Sequence, residues 1–198
     1  MSYEAGSLAE QKDQIRRAAM ARRVALEPVA RIEASLALVE FVDALDLAPG
    51  ATVAGFWPIR EEIDPRPLLD QLRQRGHRLC LPVVSDPHLI FRELTRETEL
   101  EPAGFGTQAP GRSSAEVIPD VLLMPLAAFD DLGNRIGYGK GHYDMTIAAL
   151  APRVTLTCIG LAYCVQQVAR IPAEPHDKPL DGILTEAGFR RFETHEVP

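Results

Sequence analysis

Residues 133–144, GNRIGYGKGHYD, hold four glycines, two cations and a closing carboxylate. Glycine tolerates positive φ and lets a ligand approach the main chain closely. Gly137, Gly139 and Gly141 alternate with Tyr138, Lys140 and His142, a spacing that lets successive N–H groups point into one concavity and hold an anion. The stretch leads into a predicted helix, MTIAAL, whose free N–H groups and positive dipole end favour the same ligand. Lys140 and Arg135 add formal charge. The chemistry implied is phosphate binding; the plain alternative is a mobile surface loop. Lys140 precedes Gly141 and not Ser or Thr, so the stretch is not a Walker P-loop. The polar run DDLGNR sets it apart from its strand, unlike a dinucleotide fingerprint.

Asp144 stands near the start of the predicted helix. It is either a carboxylate that stabilises a helix N-terminus by up to about 1 kcal/mol or a magnesium ligand. Nucleotide-bound magnesium is often held by one or two carboxylates plus phosphate oxygens. Asp181, ahead of the strand GILTE, is a second candidate ligand and otherwise a turn residue. A second set of cations lies near the N-terminus: Lys12, Arg16, Arg17, Arg22, Arg23 and Arg31, against Asp13 and Glu27. Lys12 and Arg16 are four apart and share one helix face. Such a run is usually a solvated face; in an acidic chain it can also complement a triphosphate.

The elements that must position these residues read as α/β. The chain has 198 residues, 46% hydrophobic and 25% charged, with a net charge of -7; this suits one soluble domain over residues 1–198 and argues against a general nucleic-acid binder. Cys80, Cys158 and Cys164 form no C-x-x-C, which argues against a zinc site or disulfide framework, and all three read as small buried hydrophobes. The N-terminus has no apolar signal region, and the longest uncharged stretch, Val154 to Ala169, is too short and polar for a membrane span. No membrane partner and a cytoplasmic location are expected.

Helices are predicted over about Leu8 to Leu26, with a Ser7–Glu10 capping box, and about Val29 to Leu45. ATVAGFW, HRLCLPVV, LIFREL, DVLLMPLAAF, RVTLTCIGLAY and a last GILTE read as strands. DPRPLLDQLRQRG reads as a helix capped by Asp64 and ended by Gly76, and VQQVA as a helical turn or two. Residues 95–119 read as a long loop, with GFGTQAPG a possible lid. Alternating strands and helices imply a mostly parallel sheet covered on both faces, with active loops at the strands' carboxyl ends.

RIGYGKGHYD resembles the signature of the 5-formyltetrahydrofolate cyclo-ligase (5,10-methenyltetrahydrofolate synthetase) family, close to R-L-G-x-G-x-G-Y-Y-D. KDQIR, FWPIREEIDPRPLL and PHDKPLDGILTE agree in order and spacing, so the resemblance covers about residues 11–187. It implies a three-layer α/β/α sandwich and conversion of 5-formyltetrahydrofolate and ATP, with Mg2+, to 5,10-methenyltetrahydrofolate, ADP and phosphate. By resemblance, Lys12 and Arg16 contact the ATP phosphates together with Arg135, Gly137, Tyr138, Gly139, Lys140, Gly141, His142 and Tyr143. Of these, Arg135, Lys140 and Tyr143 would act in catalysis. Asp144 and Asp181 would hold magnesium. Glu62 would accept hydrogen bonds from the pterin-like ring, with Trp57, Tyr138 and His142 lining that pocket.

Without the resemblance, Glu62 is a loop carboxylate beside Glu61, and Trp57 is core. One carboxylate can accept two adjacent N–H donors of a pterin. His142 stands where many members have tyrosine, and histidine's charge changes near neutral pH. His176, in the PHD turn, reads as structural. Three other readings stay open: a paralogue that binds folate or nucleotide without turnover, a phosphosugar or CoA-thioester enzyme on a related scaffold, and a pure interaction module.

Overall fold

The structure, a computed structural model, describes residues 7–104, 106–174 and 177–192. Helix α1 spans Leu8–Val24 and opens with the predicted box: Glu10 N–H donates to Ser7 Oγ at 3.3 Å and Ser7 N–H to Glu10 Oε2 at 2.8 Å. Helix α2 covers Pro28–Ala37 and continues as a 3-10 helix over Leu38–Leu45. The sequence reads as one helix there, because no proline or glycine marks the change. Strand β1 (Thr52–Ala54), helix α3 (Arg66–Gln74), β2 (Arg78–Ser85) and β3 (His88–Glu93) follow. Then come β4 (Leu100–Pro102), β5 (Gln108–Pro110), β6 (Glu116–Val117), β7 (Val121–Pro125), β8 (Ala128–Phe129) and β9 (Arg135–Ile136). Helix α4 (His142–Leu150), β10 (Thr157–Leu161), a 3-10 turn (Cys164–Gln166), β11 (Gly182–Thr185) and β12 (Gly188–Arg191) complete the described chain.

Eight strands form one sheet in the order β12-β11-β10-β7-β1-β2-β3-β6. The five central strands, β11 to β2, are mutually parallel, and antiparallel strands close both edges. Alternate residues of the central strands enter opposite cores, as parallel strands buried on both faces require. Val53, Val121, Leu123, Ile159 and Leu184 pack with Leu38, Val42, Leu68 and Leu72 from the α2–α3 side. Ala54, Leu122, Met124, Cys158 and Ile183 pack with Ile147 of α4. The result is the expected three-layer α/β/α sandwich. A third cluster joins Ala19 of α1 to Ala127, Ala128, Ile136 and Ile171, with Ile15 and Met20 against it. Helix α1 therefore lies on the segments that follow β7.

Several expectations are corrected. Residues 95–119 contain three short strands. GILTE is followed by an antiparallel partner, β12. ATVAGFW is a strand only over Thr52–Ala54. Pro65 takes the cap position of α3, with Asp64 Oδ1 accepting from Arg66 N–H at 3.0 Å. Cys164 is only half-buried, its Sγ 3.4 Å from Thr185 Oγ1. DDLGNR is a structured turn: β8 pairs with β9, and buried Asp130 accepts from Leu132 N–H and Asn134 N–H at 3.0 Å each, from Asn134 Nδ2 at 3.0 Å and from Ile171 N–H at 2.9 Å.

Candidate active site

The glycine-rich loop leaves β9 and enters α4. Gly139 has φ +86° and Gly141 φ +69°, conformations that cost an L-residue roughly 1–2 kcal/mol. Gly141 is the N-terminal cap of α4, and the first helical hydrogen bond runs from Met145 N–H to Gly141 O at 3.0 Å. The N–H groups of the opening turn are left for another acceptor. Lys140 is exposed at the same turn.

Helix α1 lies along this loop. Arg16 Nε donates to Gly137 O at 2.9 Å and its Nη1 to Asp13 Oδ1 at 3.0 Å. A Cβ placed on Gly139 would lie 3.7 Å from Arg16 Nη2, so the guanidinium stands against the loop. Lys12 Nζ donates to Glu174 at 2.8 Å and Asp177 at 2.6 Å. Partial burial pulls the Lys12 ammonium pKa down, yet bonds and charge from these two carboxylates raise it overall.

The loop reaches the carboxyl end of β1 through Tyr138. Its hydroxyl donates to Glu62 Oε1 at 2.5 Å, and Glu62 Oε2 accepts from Ile59 N–H at 2.9 Å. Tyr163 donates to the Glu62 carbonyl at 3.2 Å. Glu62 is 8% exposed. Burial pushes its carboxyl pKa above the ordinary range, while Tyr138, the Ile59 N–H and the Arg23 and Arg60 charges hold it down. Burial, then the Glu62 charge, raises the Tyr138 phenol as well.

Arg23, read as part of a solvated basic run, is 1% exposed and donates from Nη1 to the Tyr138 hydroxyl at 2.8 Å. Alternation of charge and apolarity along α1 gave no sign of this. Nor does Arg22 float free, since its Nε donates to Val165 O at 2.7 Å. Trp57 is half-buried under the Arg66 guanidinium, 5.1 Å from the ring centre.

Arg135 Nη2 donates to Asp144 Oδ1 at 2.7 Å, and its Nη1 is hydrogen-bonded to Lys178 O. Asp144 Oδ1 also accepts from Lys178 N–H at 3.2 Å. Asp181 Oδ2 accepts from Cys158 N–H at 2.6 Å. Burial pushes the Cys158 thiol up to about 12, with the Asp181 and Asp144 charges adding to the rise and Arg135 opposing it. Asp144 Oδ2 and Asp181 Oδ1 accept no hydrogen bond among the described residues. These are the oxygens that would be left for a magnesium ion, which takes few protein ligands and completes its shell with phosphate and water. Among the described residues no three His, Cys, Asp or Glu side chains cluster as a metal cage. Tyr143 packs against the core cluster beneath α4, and burial raises its phenol. His142 Nε2 lies 3.4 Å from Asp86 Oδ1 at the β2–β3 tip. His176 and Phe105 lie outside the described residues. No helix among the described residues is long and apolar enough to cross a membrane.

Solved structures share this arrangement of strands and helices. A 5,10-methenyltetrahydrofolate synthetase from Aquifex aeolicus superposes with a TM-score of 0.74 at 28% identity, covering 94% of this chain and 98% of that one. One from Mycoplasma pneumoniae gives 0.70 at 25%, covering 88% and 98%. Among curated proteins, the 5-formyltetrahydrofolate cyclo-ligase of Escherichia coli K12 is 36% identical over 141 residues, 68% of this chain and 77% of that protein. That of Mycolicibacterium smegmatis is 32% identical over 183 residues, 88% and 93%. Residues 8–186 match the family as a whole, from the helix that carries Lys12 through the strand after Asp181, and the chain belongs to the 5-formyltetrahydrofolate cyclo-ligase family.

Proposed function

We propose that this chain closes 5-formyltetrahydrofolate to 5,10-methenyltetrahydrofolate at the expense of ATP, with Mg2+ bound beside the phosphates. The observation that carries the proposal is the Tyr138–Glu62 hydrogen bond of 2.5 Å. It ties the loop suited to phosphate directly to the buried carboxylate suited to a pterin ring, so both substrates meet at one place.

A formamide oxygen is a poor leaving group, so ring closure by loss of water does not proceed unaided. The formyl oxygen attacks the γ-phosphorus and ADP departs, leaving the N-5 formyl carbon as a phospho-imidate. The N-10 nitrogen attacks that carbon and loses its proton. The carbon–oxygen bond then breaks and inorganic phosphate leaves with the former formyl oxygen. No covalent enzyme intermediate is required. Phosphoryl transfer asks the protein for alignment and charge neutralisation. The N–H groups at the start of α4, with Arg16, Lys140 and Lys12, bind the triphosphate. Arg135, hydrogen-bonded to Asp144, would supply positive charge to the γ-phosphoryl group. Glu62 orients the pterin, and Trp57 and His142 wall the pocket. Magnesium, held by Asp144 and Asp181, would neutralise phosphate charge. The chemistry belongs in the cytoplasm, where ATP and reduced folates are held.

The test is direct. Purified protein with 5-formyltetrahydrofolate, ATP and Mg2+ develops the near-ultraviolet absorbance of the methenyl product, and omitting any one of the three abolishes it. Tight binding of both substrates with no absorbance change would instead make the chain a binding-only paralogue.

A further inference from the structure

Arg23 presents a charge problem that the reaction scheme leaves unexplained. It is buried to 1% exposure, and its Nε and Nη2 have no hydrogen-bond partner. A guanidinium stays protonated even when buried, and an uncompensated buried cation is strongly unfavourable. Among the described residues the buried carboxylates are Glu62 and Asp130. Asp130 is committed to the N–H donors of its own turn, of the Asn134 side chain and of Ile171. Glu62 is the remaining counter-ion, and Tyr138 bridges the two, accepting from Arg23 Nη1 at 2.8 Å and donating to Glu62 Oε1 at 2.5 Å.

We infer that Arg23 is a positioning residue that keeps Glu62 ionised and correctly aimed for folate by acting through the Tyr138 hydroxyl. The inference rests on the reading of Glu62 as the folate-binding carboxylate. Arg23 reaches the site from α1, Tyr138 from the glycine-rich loop, and Glu62 from the segment after β1. Arg60 on Glu62's own segment adds positive charge, and Tyr143 of α4 adds a distant phenol. Arg60 is more than a third exposed, so water screens it far more than it screens Arg23. Glu62 retains acceptor capacity on both oxygens after its bonds to Tyr138 and Ile59, because each carboxylate oxygen has two lone pairs. A pterin can therefore bind without breaking the bridge.

The experiment compares full-length wild type with R23K, R23M, Y138F, E62Q and the double variant R23M/E62Q. It reads kcat/KM for 5-formyltetrahydrofolate from pH 5 to 9 at saturating ATP, with KM for ATP measured alongside. In R23M the acidic limb moves upward by about one pH unit or more, tenfold in the ionisation equilibrium of Glu62, and KM for folate rises about tenfold at neutral pH. R23K keeps the wild-type limb, because it keeps the charge. In the E62Q background, R23M produces no further change in folate KM. An unmoved limb in folded R23M, or R23K as impaired as R23M, overturns the inference. If R23M does not fold, Y138F decides: it retains the cation but severs the bridge, so its limb moves upward, and a limb identical to wild type overturns the inference. Unchanged folate KM in E62Q alone overturns the underlying reading of Glu62, and the inference with it. Impaired E62Q beside unimpaired R23M overturns the inference only.

Discussion

The hydroxyl of Tyr138 and the Oε1 of Glu62 lie 2.5 Å apart across 76 positions of sequence. The bond joins a neutral donor to a carboxylate in a buried setting, where water cannot substitute for either partner. Hydrogen bonds to charged groups contribute about 1.5–3 kcal/mol. Tyr138→Phe is expected to lower stability by that amount at neutral pH, read from urea denaturation, and by less at acid pH where Glu62 is protonated. A loss that does not depend on pH would mean that the phenol matters only for packing.

Glu62 also links stability to pH. Burial holds its folded pKa above the ordinary value, so the folded chain binds more protons than the unfolded chain between the two values. Stability attributable to Glu62 therefore falls as pH rises from the ordinary glutamate pKa through the raised one, and is flat above it. Glu62→Gln removes that slope. It also leaves the Arg23 guanidinium without the charge that Tyr138 relays to it; breaking a direct buried ion pair costs about 3–5 kcal/mol, which sets an upper bound for this bridged one. Urea midpoints for wild type and Glu62→Gln between pH 4 and 7 check both parts. A parallel pair of curves would show that Glu62 titrates alike in folded and unfolded chain.

Asp144 serves two groups already, Arg135 at 2.7 Å and the Lys178 N–H at 3.2 Å. Asp144→Ala is expected to lose most turnover, about 100-fold or more if a positioned charge in phosphoryl transfer is removed, while the fold persists. Mg2+ titration of the residual rate separates the roles. Unchanged magnesium dependence would reassign Asp144 to orienting Arg135 alone.

The layers and parallel centre of the fold were legible because long apolar runs alternate with capped helices. The capping box of α1 was read residue by residue. The edge strand β12 was missed because GFRR carries charge and sits one turn after β11; its partner on the inner side supplies the pattern that it lacks. The glycine loop stood out by its spacing, whereas Glu62 was singled out only by the family resemblance; its residues alone read as a loop carboxylate, and the structure buries it. That Tyr138 joins them was not legible, because nothing in local spacing shows which distant side chain a loop tyrosine will meet. Arg23 was hidden for a related reason. It sits in a run with Arg22 that looks solvated, and only tertiary contact with Tyr138 distinguishes the buried cation from its exposed neighbour.

Lys12 tests whether α1 serves the nucleotide or only the fold. Its ammonium is held by Glu174 and Asp177 at 2.8 and 2.6 Å, and such partly exposed pairs contribute at most about 1 kcal/mol. A triphosphate carries more charge than either carboxylate and can draw the flexible side chain toward the loop, as Arg16 already stands beside Gly139 one helical turn on. Lys12→Ala is therefore expected to raise KM for ATP about tenfold, the equivalent of 1.4 kcal/mol, with KM for folate within about twofold and the urea midpoint nearly unchanged. Steady-state rates with each substrate varied in turn distinguish the cases. Equal rises in both constants, together with a lower midpoint, would mean that the Lys12 ion pairs fasten the segment around Glu174 to α1 and have no direct part in nucleotide binding.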